Sequence, residues 1–220
     1  GSPHTPIVPS PEWRGKSGLG DYGDFVMQTD HCLGEISKAL ERNGMTGNTL
    51  EIFTSDNGCS KAAAIKGLAE QGHIVSAHLR GSKADIRDGG HRIPFIVRWP
   101  GVIEAGSMSD QLICLTDLFA TTADLLQVEI PADTCEDSVS FLPALSGELI
   151  ESSRHGVVHH SISGHFAYRY GPWKLILAKG SGGWTSPTEK EMPKDALPAQ
   201  LFHLDRDPGE TTNLYLENSD

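Results

Sequence analysis

The sequence predicts an α/β chain in two parts: helices over a sheet through residue 145, then a small antiparallel β unit over residues 146–220. Three observations carry that reading. A helical stripe runs through a short turn into an apolar strand, the order of a helix-covered sheet. A second apolar run, Phe95-Ile96-Val97, suits a strand buried on both faces. Beyond a shift in composition at 143–148, short strand candidates succeed one another with little helix between them.

The elements follow in order. Residues 3–23 are punctuated by Pro3, Pro6, Pro9, Pro11, Gly15, Gly18, Gly20 and Gly23, and read as an ordered loop or extended arm. From Asp21, a plausible cap, Val26, Thr29, Leu33, Ile36 and Leu40 form one largely apolar helical stripe, which Asn43-Gly44 ends. Residues 49–55 form a strand in which Leu50, Ile52 and Phe53 are the buried, β-favouring part. Residues 62–68 can form one short helix. Residues 80–92 are a basic, glycine-punctuated loop that feeds the strand at 93–99. Residues 116–127 read as a second amphipathic helix, capped by Thr116, with Phe119, Thr122 and Leu126 on its apolar side. Strands are expected at 157–162, 172–178 and 200–204, with turns at Tyr170-Gly171 and Asp207-Pro208-Gly209 and a long surface loop at 180–199.

Composition narrows the function classes. A length of 220 residues buries a good core, and 38% apolar with 21% charged residues is ordinary for a soluble globular chain. No apolar run approaches the ~20 residues of a membrane span. A net charge of −11 argues against nucleic acid and requires that any anionic substrate be held by a local cation. Cys32, Cys59, Cys114 and Cys135 form no C-x-x-C pair and read as free, partly buried thiols.

The stretch 49–58, TLEIFTSDNG, places Asp56 and Asn57 at the end of a strand, where open α/β sheets bind ligands. Two hard oxygen donors there suit Ca²⁺ or Mg²⁺ better than zinc. Taken alone, Asp-Asn-Gly reads as a turn. Lys83, Arg80 and His4 are, taken alone, ordinary loop residues. His159-His160, with His155 and His165 nearby, could tempt a zinc reading, but neighbours on a strand point to opposite faces.

Separated segments along the chain lift these residues above that background. PHTP with GKSGLGDYGDFVMQTD, then SDNG, RGSKADIRDGGHRIPFIVRWPG, DLFATTADLL, GPWKLI and LFHLDRDPGETTNL resemble, in order, the sulfatases of the arylsulfatase type. The resemblance covers nearly the whole chain and is closest to the middle and C-terminal part of secreted bacterial members. It implies an alkaline-phosphatase-like sandwich, a mixed sheet with flanking helices, followed by a small antiparallel C-terminal unit. It implies a calcium ion (Mg²⁺ as the alternative) held by Asp56 and Asn57. Lys83 is then the sulfate-binding lysine, and His4 the histidine beside the bridging oxygen. Arg80 and the Asp88-Gly89-Gly90 loop shape the site, with Asp88 standing where most relatives carry Glu.

The resemblance also implies a formylglycine nucleophile, made within a C/S-x-P/A-x-R motif. None of the four cysteines lies in one, and Ser10-Pro11-Glu12-Trp13-Arg14 sets its proline one place early. The nucleophile and two further aspartate ligands are expected upstream of residue 1. These 220 residues would then hold about half of an active site and turn over no substrate alone. The expected partners are a sulfated small molecule or polysaccharide, with self-association through the face that meets the rest of the enzyme. The expected location is periplasmic or extracellular. Two alternatives stand beside this: a phosphatase or phosphodiesterase of the same superfamily, and a non-catalytic chain that binds sulfated glycans.

Overall fold

The structure, a computed structural model, describes residues 3–149, 154 and 156–217. His155 lies outside the described residues. Helix α1 spans Gly20–Arg42, strand β1 Glu51–Thr54, helix α2 Ile65–Glu70 and the single turn α3 Asp88–His91. Strand β2 spans Phe95–Arg98, helix α4 Asp117–Leu125 and the short helix α5 Leu142–Leu145. Strands β3 (Val157–His160), β4 (Phe166–Tyr170), β5 (Trp173–Ile176) and β6 (Gln200–His203) complete the chain. Among the described residues β1 and β2 pair antiparallel, from Glu51 opposite Arg98 to Thr54 opposite Phe95. Strands β3-β4-β5-β6 form an antiparallel meander.

Helix α1 ends as expected. The Gly44 N–H donates to the Glu41 carbonyl at 3.0 Å and the Met45 N–H to the Leu40 carbonyl at 2.9 Å, with Gly44 at φ +67°. This closes two carbonyls that the helix leaves open, in the left-handed geometry glycine tolerates. Its start differs. Leu19 is the N-cap residue and Asp21 lies inside the first turn, where it can act only on the helix dipole. The buried Asp24 does the local hydrogen bonding, accepting from the Gly15 N–H (2.6 Å), the Ser17 N–H (2.8 Å) and the Ser17 hydroxyl (2.7 Å). Arg98 joins α1 to the strand pair, pairing with Glu51 and reaching Glu41 at 3.6 Å, while the Ser37 hydroxyl donates to Glu51 at 2.6 Å.

Several expectations are corrected. Strand β2 is not buried on both faces: Ile96 is 60% exposed. The side of α4 bearing Phe119, Thr122 and Leu126 faces outward. Polar docking chose the opposite face. Ala120 N–H donates to the Ser138 hydroxyl (2.9 Å), Val139 N–H to Asp117 (3.0 Å) and Phe141 N–H to the Thr121 hydroxyl (3.0 Å). Thr116 has helical backbone and caps nothing with its side chain; the Asp117 carboxylate instead accepts the Cys114 N–H at 2.7 Å. The helix expected over 62–68 is split by Ala64, at φ +56°, into a 3-10 turn at Lys61–Ala63 and α2. Cys32 is exposed, whereas the other three free thiols are half-buried. Strand β4 was not expected, because its exposed Phe166, Tyr168 and Tyr170 alternate with Ala167 and Arg169 and so lack an apolar run.

The main buried cluster is Ile86, Ala167, Ile176, Ala178, Phe202 and Leu204. Five of these come from the β3–β6 sheet and its flanks. Ile86 comes from the loop before α3. The core of the C-terminal unit is therefore completed by the loop that carries the candidate site. The long loop at 180–199 is correspondingly not all surface: Ser181 and Gly182 are buried against Ile86 of that same loop, and Gly180 is buried against Pro187 and Thr188.

Candidate functional site

Two loops meet at the carboxyl end of β1. The loop at 55–60 and the loop at 80–92 are joined by backbone bonds, from the Gly58 N–H to the Gly90 carbonyl (2.9 Å) and from the Lys83 N–H to the Cys59 carbonyl (2.8 Å). Glycines permit the approach. A Cβ on Gly58 would land on the Gly89 carbonyl oxygen, and one on Gly89 would land on the Gly81 and Arg80 carbonyls. A loop of DNG followed by GSKADIRDGG thus interlocks because Gly58 and Gly89 carry no side chain.

This frame brings His4 and Lys83 together. Lys83 Nζ lies 3.3 Å from His4 Nε2, across 79 residues of sequence. His4 Nδ1 lies 3.0 Å from the Thr5 carbonyl. A carbonyl only accepts, so Nδ1 carries the ring proton and Nε2 presents its lone pair to the ammonium. Immediately after Lys83, Ala84 is held at φ +81°, a left-handed backbone costly for a residue with a Cβ. Its carbonyl accepts the Ile162 N–H at 3.1 Å from the C-terminal unit.

Asp56 and Asn57 sit on the neighbouring loop. Asp56 is exposed, and its carboxylate has no hydrogen bond or ion pair among the described residues. The Asn57 amide nitrogen donates to the Gly58 carbonyl at 2.9 Å, which leaves its oxygen free to act as a ligand. The Ser55 hydroxyl fixes the turn by donating to the Asn57 carbonyl at 2.9 Å. Two hard oxygens are thus presented, in keeping with calcium chemistry. Among the described residues no cluster of three or more His, Cys, Asp or Glu side chains is placed to hold a metal ion. The donors fit part of a calcium shell of about 6–8 oxygens. Arg80 points elsewhere, donating from Nη1 to the Glu210 carbonyl at 2.9 Å.

Behind the site lies a buried charged cluster. The Lys174 ammonium, fully buried on β5, pairs with Asp88 at 2.7 Å and Glu210 at 3.0 Å, and Arg169 lies 3.9 Å from Asp88. Burial alone would raise both carboxyls, but the Lys174 charge holds Asp88 below its usual range, whereas burial prevails at Glu210 and pushes it up. The His91 and His159 rings meet beside this cluster, tilted at 52° with centroids 4.3 Å apart. Burial, reinforced by the Lys174 charge, pushes His91 down to about 4 and His159 down to about 3. Both are neutral at neutral pH.

Sequence reasoning placed Asp88 at the site's edge and missed Asp85. Fully buried, Asp85 accepts the Ser82 N–H (2.8 Å), the Trp184 N–H (2.8 Å) and the Thr185 N–H (2.9 Å), and also pairs with the Thr185 hydroxyl. The legible signal was Ser82-x-x-Asp85, a spacing at which a carboxylate can close its own turn. The contacts at Trp184 and Thr185 are a hundred residues away and leave no local trace. Lys174 and Glu210 were likewise hidden, one in a strand and one in a turn.

The family model described as Sulfatase matches residues 1–128. An N-acetylgalactosamine-6-O-sulfatase of Bacteroides thetaiotaomicron is 36% identical over 214 residues, covering 96% of this chain and 41% of its own length. The N-acetylgalactosamine-6-sulfatase of Sus scrofa is 34% identical, covering 94% of this chain and 41% of its own. A solved structure of a Bacteroides thetaiotaomicron sulfatase, from work on the metabolism of multiple glycosaminoglycans, superposes with a TM-score of 0.85 at 35% identity over 99% of this chain and 45% of that one. The chain thus spans about two fifths of the length of the curated relatives it matches. A family model that matches more than half of the chain and a shared fold lead to one conclusion: the chain belongs to the sulfatase family.

Proposed function

We propose that these residues are the sulfate-binding side of a sulfuric ester hydrolase that acts on sulfated carbohydrates. The observation that carries this is the approach of Lys83 Nζ to His4 Nε2 at 3.3 Å. A chain of net charge −11 repels anions at long range, so a sulfate needs a local, preorganised cation. Lys83 supplies a compact charge with three donors, one of them shared with His4. Displacement at a sulfate ester spreads negative charge over the peripheral oxygens, and a fixed ammonium stabilises that charge without reorganising. Once the Lys83 ammonium turns from His4 to the sulfate oxygens, Nε2 is left to take up a proton and deliver it to the bridging oxygen as the alcohol leaves, a step typically worth about 10²–10⁴-fold.

Asp56 and Asn57 would hold a calcium ion, which supplies Lewis-acid polarisation of a sulfate oxygen when bound. The family's formylglycine would provide the nucleophile in the whole enzyme, in a periplasmic or extracellular setting. The names of the two relatives make 6-sulfated N-acetylgalactosamine the first substrate to try. The exposed Asp56 beside Asn57 favours this over a zinc phosphatase, because an asparagine carboxamide is a poor zinc ligand.

Two measurements test the reading. The 220-residue chain should bind inorganic sulfate in calorimetric titration, and Lys83→Ala should abolish that binding while leaving the unfolding transition in place; equal binding by the variant would refute the assignment. The same chain should hydrolyse no aryl sulfate with or without calcium, whereas turnover would show a nucleophile within these residues.

A further inference from the structure

Trp184 is an exposed aromatic whose backbone is bound to the loop that carries Lys83. Its side chain belongs to a residue 49% exposed. Among the described residues its ring has no aromatic or cationic partner. Its backbone, by contrast, is fixed on both sides. The N–H donates at 2.8 Å to Asp85, a fully buried carboxylate two residues along the loop from Lys83, and the carbonyl accepts from Lys61 Nζ at the start of the 60–64 segment. The next residue is held too, because the Thr185 N–H and hydroxyl both reach Asp85 and that hydroxyl lies 3.3 Å from the Ser82 hydroxyl. Gly183 makes the approach possible: a Cβ there would strike the Ala84 carbonyl and lie 2.7 Å from the Asp85 carboxylate.

Burying a carboxylate is costly unless its oxygens are saturated. Here the donors that saturate it come from the lysine loop and from the two residues 184 and 185. The carboxylate thereby sets the indole's anchor point relative to Lys83. A loop that needed only anchoring could be held by Thr185 alone, with any residue at 184. An indole offers a large apolar face at little conformational cost, and its N–H is a polar handle.

We propose that Trp184 is a carbohydrate platform, stacking on the apolar face of the sugar ring whose sulfate is held by Lys83 and His4. This makes Trp184 a specificity-determining residue for glycan over simple sulfate esters, and it rests on the sulfate-binding reading of those two residues. The lysine loop and the C-terminal unit would then recognise one ligand jointly, the first its anion and the second its ring.

The test uses the 220-residue chain with three probes: inorganic sulfate, N-acetylgalactosamine and N-acetylgalactosamine 6-sulfate. Calorimetry should show the sulfated sugar binding more tightly than sulfate. Trp184→Ala should weaken the sulfated sugar about tenfold and leave inorganic sulfate within about twofold, while Trp184→Phe keeps most of the affinity. In NMR spectra the indole N–H signal that disappears in Trp184→Phe should shift with the sulfated sugar and not with sulfate. An equal loss for both ligands in Trp184→Ala would mean that Trp184 only supports the loop, and a sugar that binds no better than sulfate, or an unmoved indole signal, would likewise overturn the platform alone. Failure of the chain to bind sulfate at all would instead remove the Lys83–His4 reading, and the platform with it.

Discussion

Gly58 shows how narrow the tolerances are at the scale of single residues. Its N–H and the space of its missing side chain are both taken by the Gly89-Gly90 backbone. Gly58→Ala forces a methyl group onto a carbonyl that cannot rotate away. The expected outcome is a loss of about 1–3 kcal/mol of stability, read from urea unfolding, together with weakened sulfate binding, because Lys83 is pinned to the very next residue. Ala84 offers the opposite case. At φ +81° its Cβ is a liability, so Ala84→Gly should raise stability by about 0.4–1 kcal/mol in the same assay. Neither effect is visible in sequence as such. The glycines at 58, 81, 89 and 90 were legible as punctuation, but that they face one another across thirty residues is a fact of folding.

Elements were read well where they announced themselves locally. Helix α1 was, in its extent, by its spacing and its Asn43-Gly44 stop, although Val26 and Ile36 of the expected stripe are exposed; so were β1, β5 and β6 by apolar runs. The orientation of α4 was misread because hydrogen bonds to Ser138 and from Val139 and Phe141, remote in sequence, decide which side is covered. Of the site, the strand-end position of Asp56 and Asn57 could be argued from residues, while Lys83 and His4 needed the family resemblance, since lone loop residues carry no period. Strand β5 meets the site loop through one ammonium. Lys174→Met would leave Asp88 and Glu210 buried without their cation, and we expect a loss of about 3–5 kcal/mol in equilibrium unfolding. Adding Asp88→Asn and Glu210→Gln to that variant should recover much of the loss, since no uncompensated charge then remains.

At the scale of the whole molecule the buried histidines set an acid limit. His91 and His159 bind protons near their ordinary 6.5 when unfolded, but only near 4 and 3 in the folded chain. Between those values the unfolded state takes up more protons, so stability is full above about pH 6.5 and declines as pH falls through the window. Asp88, held low, adds to the decline only at more acid pH, while Glu210, pushed up, works against it. Thermal unfolding midpoints from pH 7 to pH 4 should therefore fall, and His159→Gln should flatten the slope; an unchanged slope would show that the ring is protonated without penalty. The cluster around Glu210 also bears on the order in which the chain can acquire its structure. The Asp88 N–H donates to the Glu210 carboxylate across 122 residues, and Arg80 reaches the Glu210 carbonyl across 130. During synthesis the loop bearing Lys83 leaves the ribosome long before the turn that locks its base, and closing so long a loop is slow relative to local helix formation. The nascent chain would hold α1 early and gain a fixed loop at 80–92 only after the turn at Asp207-Pro208-Gly209 has been made.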